Sequence, residues 1–421
     1  MSITVSSPAE TPTRLTPWGP TETRPLQASV EELARWRAAA TRAAERLAVD
    51  VLERDRSNAE PFAAVDVLRS EGLLGLLIPA EHGGGGGHWE SAFEAVRLVS
   101  RVDGSLGQLL AYHYINQSGI AFYGAPQIQG EWWERTAAEQ WLWADSVNPT
   151  DPDLLLTPAA DGDGWVLNGR KRYSTGSSVA EVIVVNALVR GGDADGTVLA
   201  FVLERGRAGV SLGGDWDNLG QRLTGSGSVT YTDVAVRASD VLGPVTDLPI
   251  TTLLTPGIQL AFGAFYLGVA EGALAQGREL LLARPNAWFL SSAPRYAKDP
   301  LFQRRIGELK ARTAAVAALA SSLFRRFDTE VARDGAYTRE ERADFAAAIA
   351  ELKVVATDTA VDVASSIFEV TGSSSTANAV GLDLHWRNVR THSLHDPVDY
   401  KKVEVGAYFL DGTSQPLSLY T

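Results

Sequence analysis

A chain of 421 residues with 45% hydrophobic and 21% charged side chains can bury a large core and has the balance of a globular enzyme. Its net charge of -13 at pH 7, with a pI near 5.0, excludes the basic footprint that nucleic-acid or anionic-membrane binding requires. Without a single cysteine, disulfides, thiolate metal sites and a cysteine nucleophile are excluded as well.

Residues 1–28 are rich in Pro, Thr and Glu and show no periodicity, which predicts an arm outside the core. No signal peptide is read there, and no apolar run approaches a membrane span, so a cytoplasmic protein is expected. Ser29 with Glu32 forms a capping box ahead of Val30, Leu33, Trp36, Ala40, Leu47 and Val51, a pattern for one long amphipathic helix. A second helix is expected over residues 61–70, then a short buried segment, Leu73 to Pro79. The five glycines Gly83–Gly87 satisfy part of a phosphate-loop pattern, but no strand and helix flank them in the required order; they read as a flexible surface loop. Trp89 to Val102 is helical. Asp103-Gly104-Ser105 breaks that helix and caps the next, Leu106 to Tyr123, which carries His113 between Tyr112 and Tyr114.

After Trp143 the period changes. Residues 165–173 read as strand, Asn168-Gly169 hairpin turn, strand, with Arg170, Lys171 and Arg172 on a solvated turn face. Val182 to Val189, Val198 to Glu204 and Ser228 to Val236 continue the strand signal. From about Pro256 the pattern is helical: Ile258 to Ala283, Leu301 to Arg333, Arg339 to Val370 and Pro397 to Leu410 have lengths that suit a bundle. The expected organisation is an arm (1–28), a helical domain (29–140), a β domain (141–243) and a helical bundle (244–421), mainly α with a central β domain.

Three of the six histidines fall in the eleven residues from His385 to His395, among Trp386, Arg387 and Arg390. Asp396-Pro397 reads as an N-cap and first helical position, with Asp399 as its capping-box partner. His392 and His395 then occupy a helix-to-helix corner, where the positive end of the next helix keeps a neutral, proton-trading imidazole. Histidines at helix junctions also serve merely to satisfy backbone groups, and spacing alone does not separate the two readings. A zinc site from His-x-x-His with Asp396 has no cysteine or second His pair behind it, and no metal is expected.

The order of domains resembles the acyl-CoA dehydrogenase fold: helical N-domain, middle β-barrel, C-terminal four-helix bundle. Leu74-Gly75-Leu76-Leu77-Ile78-Pro79, Asp103-Gly104-Ser105 and Gly268-Val269-Ala270-Glu271-Gly272-Ala273-Leu274 followed by Arg284 are similar to stretches of that family. Trp386-Arg387-Asn388-Val389-Arg390-Thr391-His392-Ser393-Leu394-His395-Asp396-Pro397 resembles more narrowly its dibenzothiophene monooxygenase branch. Tyr112-His113, Val166-Leu167-Asn168-Gly169, Asp215-Trp216 and Phe368-Glu369-Val370 agree.

The resemblance implies a homotetrameric two-component monooxygenase. It would take reduced flavin, FMN ahead of FAD, from a separate NAD(P)H-dependent reductase and form a C4a-hydroperoxide with O2. It places His395 and His392 at the oxygenation site, His113 as a second histidine across the flavin, and the Thr175 hydroxyl against flavin N5. Ser146, Asp145 and Arg390 join as cofactor contacts, Trp216 packs on the flavin, and Arg284 grips the cofactor phosphate from a neighbouring subunit. Ser374 replaces a family arginine at a phosphate contact. Asp145 stands where the family has Asn, and a carboxylate there disfavours an anionic reduced flavin unless paired or protonated. The implied substrate is an aromatic, heterocyclic or heteroatom-containing small molecule. An amine N-hydroxylase, or an acyl-CoA dehydrogenase or oxidase, are the alternatives, although no Glu matches the dehydrogenase base. A non-catalytic scaffold would leave the three-histidine corner without a purpose.

Overall fold

A computed structural model of the chain describes residues 25–122, 126–160, 162, 164–333 and 336–418; all but the last four residues of the expected arm lie outside them. The N-terminal third is helical: α1 (Val30–Ala48), α2 (Val51–Ser57), α3 (Phe62–Ser70), α4 (Trp89–Ser100), α5 (Gly104–Gly119) and α6 (Pro126–Glu139). The long first helix expected from the apolar pattern is broken between Ala48 and Val51. Ser29 does cap it, accepting from Glu32 N at 3.1 Å, but the Glu32 carboxylate turns away to His88 (2.6 Å to Nδ1), so the capping box stays half closed. Asp103 caps α5 by accepting from the amides of Ser105 and Leu106 at 3.0 and 3.1 Å.

The five-glycine stretch is not a flexible loop. The amides of Gly84, Gly85, Gly86 and Gly87 donate to the carbonyls of Pro79, Gly75, Ile78 and Leu76 at 2.8–3.1 Å. A Cβ on Gly85 would stand 2.5 Å from the Trp36 ring. Glycine is needed there because two backbone runs and an indole meet without room for a side chain.

Eight strands follow: β1 (Trp143–Ser146), β2 (Leu154–Pro158), β3 (Trp165–Lys171), β4 (Val182–Val189), β5 (Val198–Glu204), β6 (Val210–Leu212), β7 (Val229–Val236) and β8 (Val241–Pro244). They form one sheet in the order β6-β7-β3-β2-β4-β5-β8, with β1 pairing in parallel with β4 ahead of β2. The Asn168-Gly169 hairpin is a correction: β3 runs straight through, and the register against β7 shifts at this point instead. Gly169 has φ +135° and sits against Leu154, while Asn168 donates to Asp233 across the bulge. Lys171, expected on a solvated face, is buried and donates to the carbonyls of Asn148 and Asp151.

The C-terminal part consists of α7 (Leu254–Ala283), α8 (Pro300–Val331), α9 (Arg339–Thr371), α10 (Asp383–His392) and α11 (Val398–Asp411). Contrary to the expectation from apolar runs, residues 251–283 are long and apolar enough to cross a membrane; α7 is nevertheless the buried central helix, flanked by α4, α5, α8 and α9. Gly268 and Gly272 let α7 cross α4 closely, since an added Cβ would lie 2.3 Å from the Arg97 carbonyl and 2.0 Å from that of Arg101. Between them Glu271 takes Arg97 through two oxygens at 2.9 and 2.5 Å. The glycine-glutamate motif is thus a helix-crossing device.

Candidate active site

The corner after α10 brings the site together. His392 is the last residue of α10, and its ring is wedged among Phe262, Phe265 and Tyr266 of α7, with centroid separations of 4.6, 4.6 and 5.2 Å. The Tyr266 hydroxyl donates to the His392 carbonyl at 3.3 Å, so the 2.8 Å contact to Nδ1 assigns the ring proton to Nδ1. That leaves Nε2 a buried acceptor with no partner among the described residues. His395 stacks on His392 at 5.7 Å with 24° between planes and lies edge-on to Phe262. Its Nε2 is hydrogen-bonded to the Tyr112 hydroxyl of α5 at 3.2 Å.

Both histidines are neutral at pH 7. Burial pushes His392 well down, helped by His395 and the Lys353 ammonium. Burial and then Lys353 lower His395, while Asp396 opposes them. The outer edge of His395 remains exposed, so water relieves part of the effect. The expected neutral pair is therefore present, but through burial and a lysine. The expected cap is not: Asp396 has φ +55°, Pro397 is the N-cap of α11 without a side-chain cap bond, and the Asp396 carboxylate points inward to Lys353 and Gln259.

From Tyr112 the polar network continues into the sheet domain. Its hydroxyl is within hydrogen-bonding reach of Thr175. Ser226 donates to Thr175 Oγ1 at 3.0 Å and exchanges a bond with Thr224 at 2.8 Å, and Ser146 pairs with Ser174 at 2.9 Å. These five hydroxyls are buried in the loops beyond β1, β3 and the segment before β7. Trp216 stands nearby, edge-on to Tyr173 at 6.4 Å, with its indole N–H on the Gln221 carbonyl. A buried row of hydroxyls, an indole and an unpartnered imidazole nitrogen match the polar edge and flat face of an isoalloxazine, so the residues present fit a flavin.

Asp145, on β1, is buried, and its carboxylate accepts from the Asn116 side-chain amide at 3.3 Å; no cation pairs with it among the described residues. Burial raises it to about 7. At that value a large share of the carboxyl is protonated near neutral pH, which lessens the conflict expected between a carboxylate and an anionic reduced flavin. A folded-state value above the ordinary 3.8 means stability is fully present at low pH and lost as pH rises through 7. The span from 3.8 to about 7 corresponds to about 4 kcal/mol at most. Asp145→Asn should therefore flatten the fall in Tm between pH 5 and 8, measured by thermal unfolding across that range; an unchanged slope would refute the protonated carboxyl.

Four expected residues stand elsewhere. His113 does not face a cofactor: its Nε2–H donates to the Leu74 carbonyl at 2.7 Å and its Nδ1 accepts from Trp143 N at 3.1 Å. With both nitrogens held by backbone and burial lowering it to about 4, it is a structural pin between α5 and β1. Arg390 is on the exposed face of α10. Arg284 and Ser374 are hydrogen-bonded to each other. They lie at the far end of α7, eighteen positions and about 27 Å from Tyr266. Sequence reading passed over Tyr112, Tyr266, Phe262 and Lys353. The last carried a signal, a lysine at the buried position of the stripe Phe345, Ile349, Lys353, Ala356, Ala360.

Family models for the acyl-CoA dehydrogenase N-terminal, middle and C-terminal domains match residues 30–140, 143–234 and 260–400. The chain is 36% identical over 388 residues to a probable FMNH2-dependent monooxygenase, SfnC, of Pseudomonas putida, covering 91% of this chain and 97% of that one. It is 34% identical over 382 residues to dibenzothiophene monooxygenase of Rhodococcus erythropolis, covering 88% and 91%. The chain belongs to the flavin-dependent monooxygenases of the acyl-CoA dehydrogenase fold. The FMN-bound structure of TdsC from Paenibacillus sp. A11-2 matches this monooxygenase with a TM-score of 0.88 at 34% identity, covering 92% of this chain and 100% of the other. The dehydrogenase alternative is left without its glutamate, since the corner after α10 brings together histidines and tyrosines.

Proposed function

We propose that this monooxygenase uses reduced FMN, delivered by a separate reductase, and O2 to oxygenate a heteroatom, in the first place sulfur, of a flat aromatic or small organosulfur substrate in the cytoplasm. The observation that carries the site reading is the Tyr112–His395–His392 cluster at the junction of α5, α7 and the α10 corner, joined through Thr175 to the hydroxyl row. The relatives named for FMNH2 and for dibenzothiophene support the cofactor and substrate class.

Bound reduced flavin supplies the two electrons that activate O2. The chain's residues do the rest. Thr175, Ser226 and Ser146 hold the polar edge of the cofactor, and protonated Asp145 adds no charge beside it. Phe262, Phe265 and Tyr266 keep water from His392. As Tyr112 gives its hydroxyl proton to an acceptor beside it, the His395 Nε2–H would pass to the Tyr112 oxygen and the other ring nitrogen would take a proton from solvent at the exposed edge, so the ring stays neutral. Arg284 and Ser374 serve a cofactor phosphate in a second copy of the chain. Their distance from the crevice and the exposed Trp288, Phe289 and Leu290 beside them support a tetramer.

Anaerobic mixing with reduced FMN, and separately with reduced FAD, followed by O2, tests this reading by rapid absorbance. A lasting near-ultraviolet band that weakens in His395→Ala, with FMN the better cofactor, is expected. Immediate reoxidation with full release of peroxide, together with bleaching of oxidised flavin by an acyl-CoA, would return the chain to dehydrogenation.

A further inference from the structure

Lys353 sits in the middle of α9 with its side chain 1% exposed, and it is ion-paired to Asp396. A buried ammonium is costly unless paired and hydrogen-bonded, and an ion pair seldom improves on apolar packing for stability alone. Its surroundings indicate another role. Asp396 also accepts from Gln259 Nε2 of α7 at 3.0 Å, so two helices grip one carboxylate. Asp396 adopts φ +55°, a left-handed backbone that a non-glycine residue adopts rarely. The residue immediately before it is His395. The Lys353 nitrogen also lies 5.8 Å from the centre of the Phe262 ring, the ring against which His395 packs.

We propose that the Lys353–Asp396 pair is the positioning device of His395: by holding the left-handed corner from α9 and α7 it aims the imidazole at Tyr112. This rests on the reading that His395 serves the crevice. The pair does not touch the reacting atoms; it acts through the histidine. The charged and titratable groups around His395 are Lys353 from α9, Asp396 beside it, His392 from α10, Tyr112 from α5 and Tyr266 from α7. Lys401 and Glu404 of α11, which pair at 2.8 Å, face Lys353 and Asp396 from the other side. Of the two nearest charges, Lys353 disfavours the imidazolium and Asp396 favours it. Removing the lysine leaves the carboxylate unopposed and must make His395 easier to protonate.

The test is Lys353→Met in the full chain, read two ways. In the flavin-free protein, histidines labelled at Cε1 are followed by NMR against pH, with His395 assigned from its missing signal in His395→Gln. The His395 signal is expected to move and its titration to rise by about one pH unit or more. In the complete system, kcat is expected to fall about tenfold to a hundredfold, as for a misaimed group, with the reduced-flavin Kd within about twofold. The acid limb of the pH–rate profile should shift upward with the titration. Unchanged His395 shift, titration and kcat, with only a lower Tm, would make the pair a stability element and overturn the proposal. If Lys353→Met does not fold, Asp396→Gly tests the same pair, because glycine keeps the left-handed corner while losing the carboxylate: the His395 signal should move and kcat fall as before, with the titration expected to fall instead of rise. Wild-type His395 behaviour in that variant would show that the backbone alone aims the ring. An oxygenation rate unaffected in His395→Ala would instead remove the functional reading, while the NMR arm still judges the pair.

Discussion

His395→Ala is expected to lower the oxygenation rate about 10²- to 10⁴-fold, the range for losing a positioned proton-trading group. His395 is the group of the corner that combines a ring held toward its neutral form, an accessible edge and a hydrogen bond with a buried tyrosine. His392 lacks the access, and His113 has both nitrogens committed to backbone. Flavin affinity should change little, since the hydroxyl row and Trp216 are untouched. The measurements are product formation against peroxide release, at saturating reduced FMN. Tyr112→Phe should lose less, about tenfold or more, because His395 remains while its hydrogen-bond partner is gone. Equal product rates in wild type and His395→Ala would end the assignment of the histidine corner as the catalytic one.

Gly272→Ala is expected to destabilise the protein, although alanine ordinarily stabilises a helix interior over glycine by about 1 kcal/mol. At this position the new Cβ would stand 2.0 Å from the Arg101 carbonyl oxygen and 2.8 Å from the His385 ring. The oxygen belongs to the backbone at the end of α4, so relief requires the two helices to separate. Overpacking of this kind costs typically 1–3 kcal/mol and outweighs the propensity gain. Gly307→Ala on α8 is the control: nothing lies within 4 Å of its Cβ, so it should raise stability by up to about 1 kcal/mol. Urea unfolding of both variants would show opposite signs. A shared sign would mean that the α4–α7 crossing relaxes freely.

The bundle helices were legible because their apolar positions recur at helical spacing: α9 was expected over 339–370 and spans Arg339–Thr371. Strands β4 and β5 were legible for the parallel reason. Short elements were not. β1, β2, β6 and β8 have three to five residues each, too few to establish a period, and β1 matters because it carries Asp145 and Ser146. Asn168-Gly169 misled because the same dipeptide serves a hairpin and a bulge. The choice was made by β2 and β7 lying on either side of β3.

By itself the sequence determined the fold class, the three-part order and the family, because periodicity and local motifs are properties of adjacent residues. It also singled out His395, whose neighbours along the chain make up the motif. Tertiary structure alone decided which of the histidines keep a free nitrogen, that Asp145 is held without a cation, and that Lys353 reaches Asp396. Each of these depends on which distant groups share a buried space. His113 and Leu74, or Lys353 and Asp396, are 39 and 43 positions apart. No local pattern encodes that meeting, and in a low-dielectric interior it is the meeting that fixes whether a group is charged, paired or free.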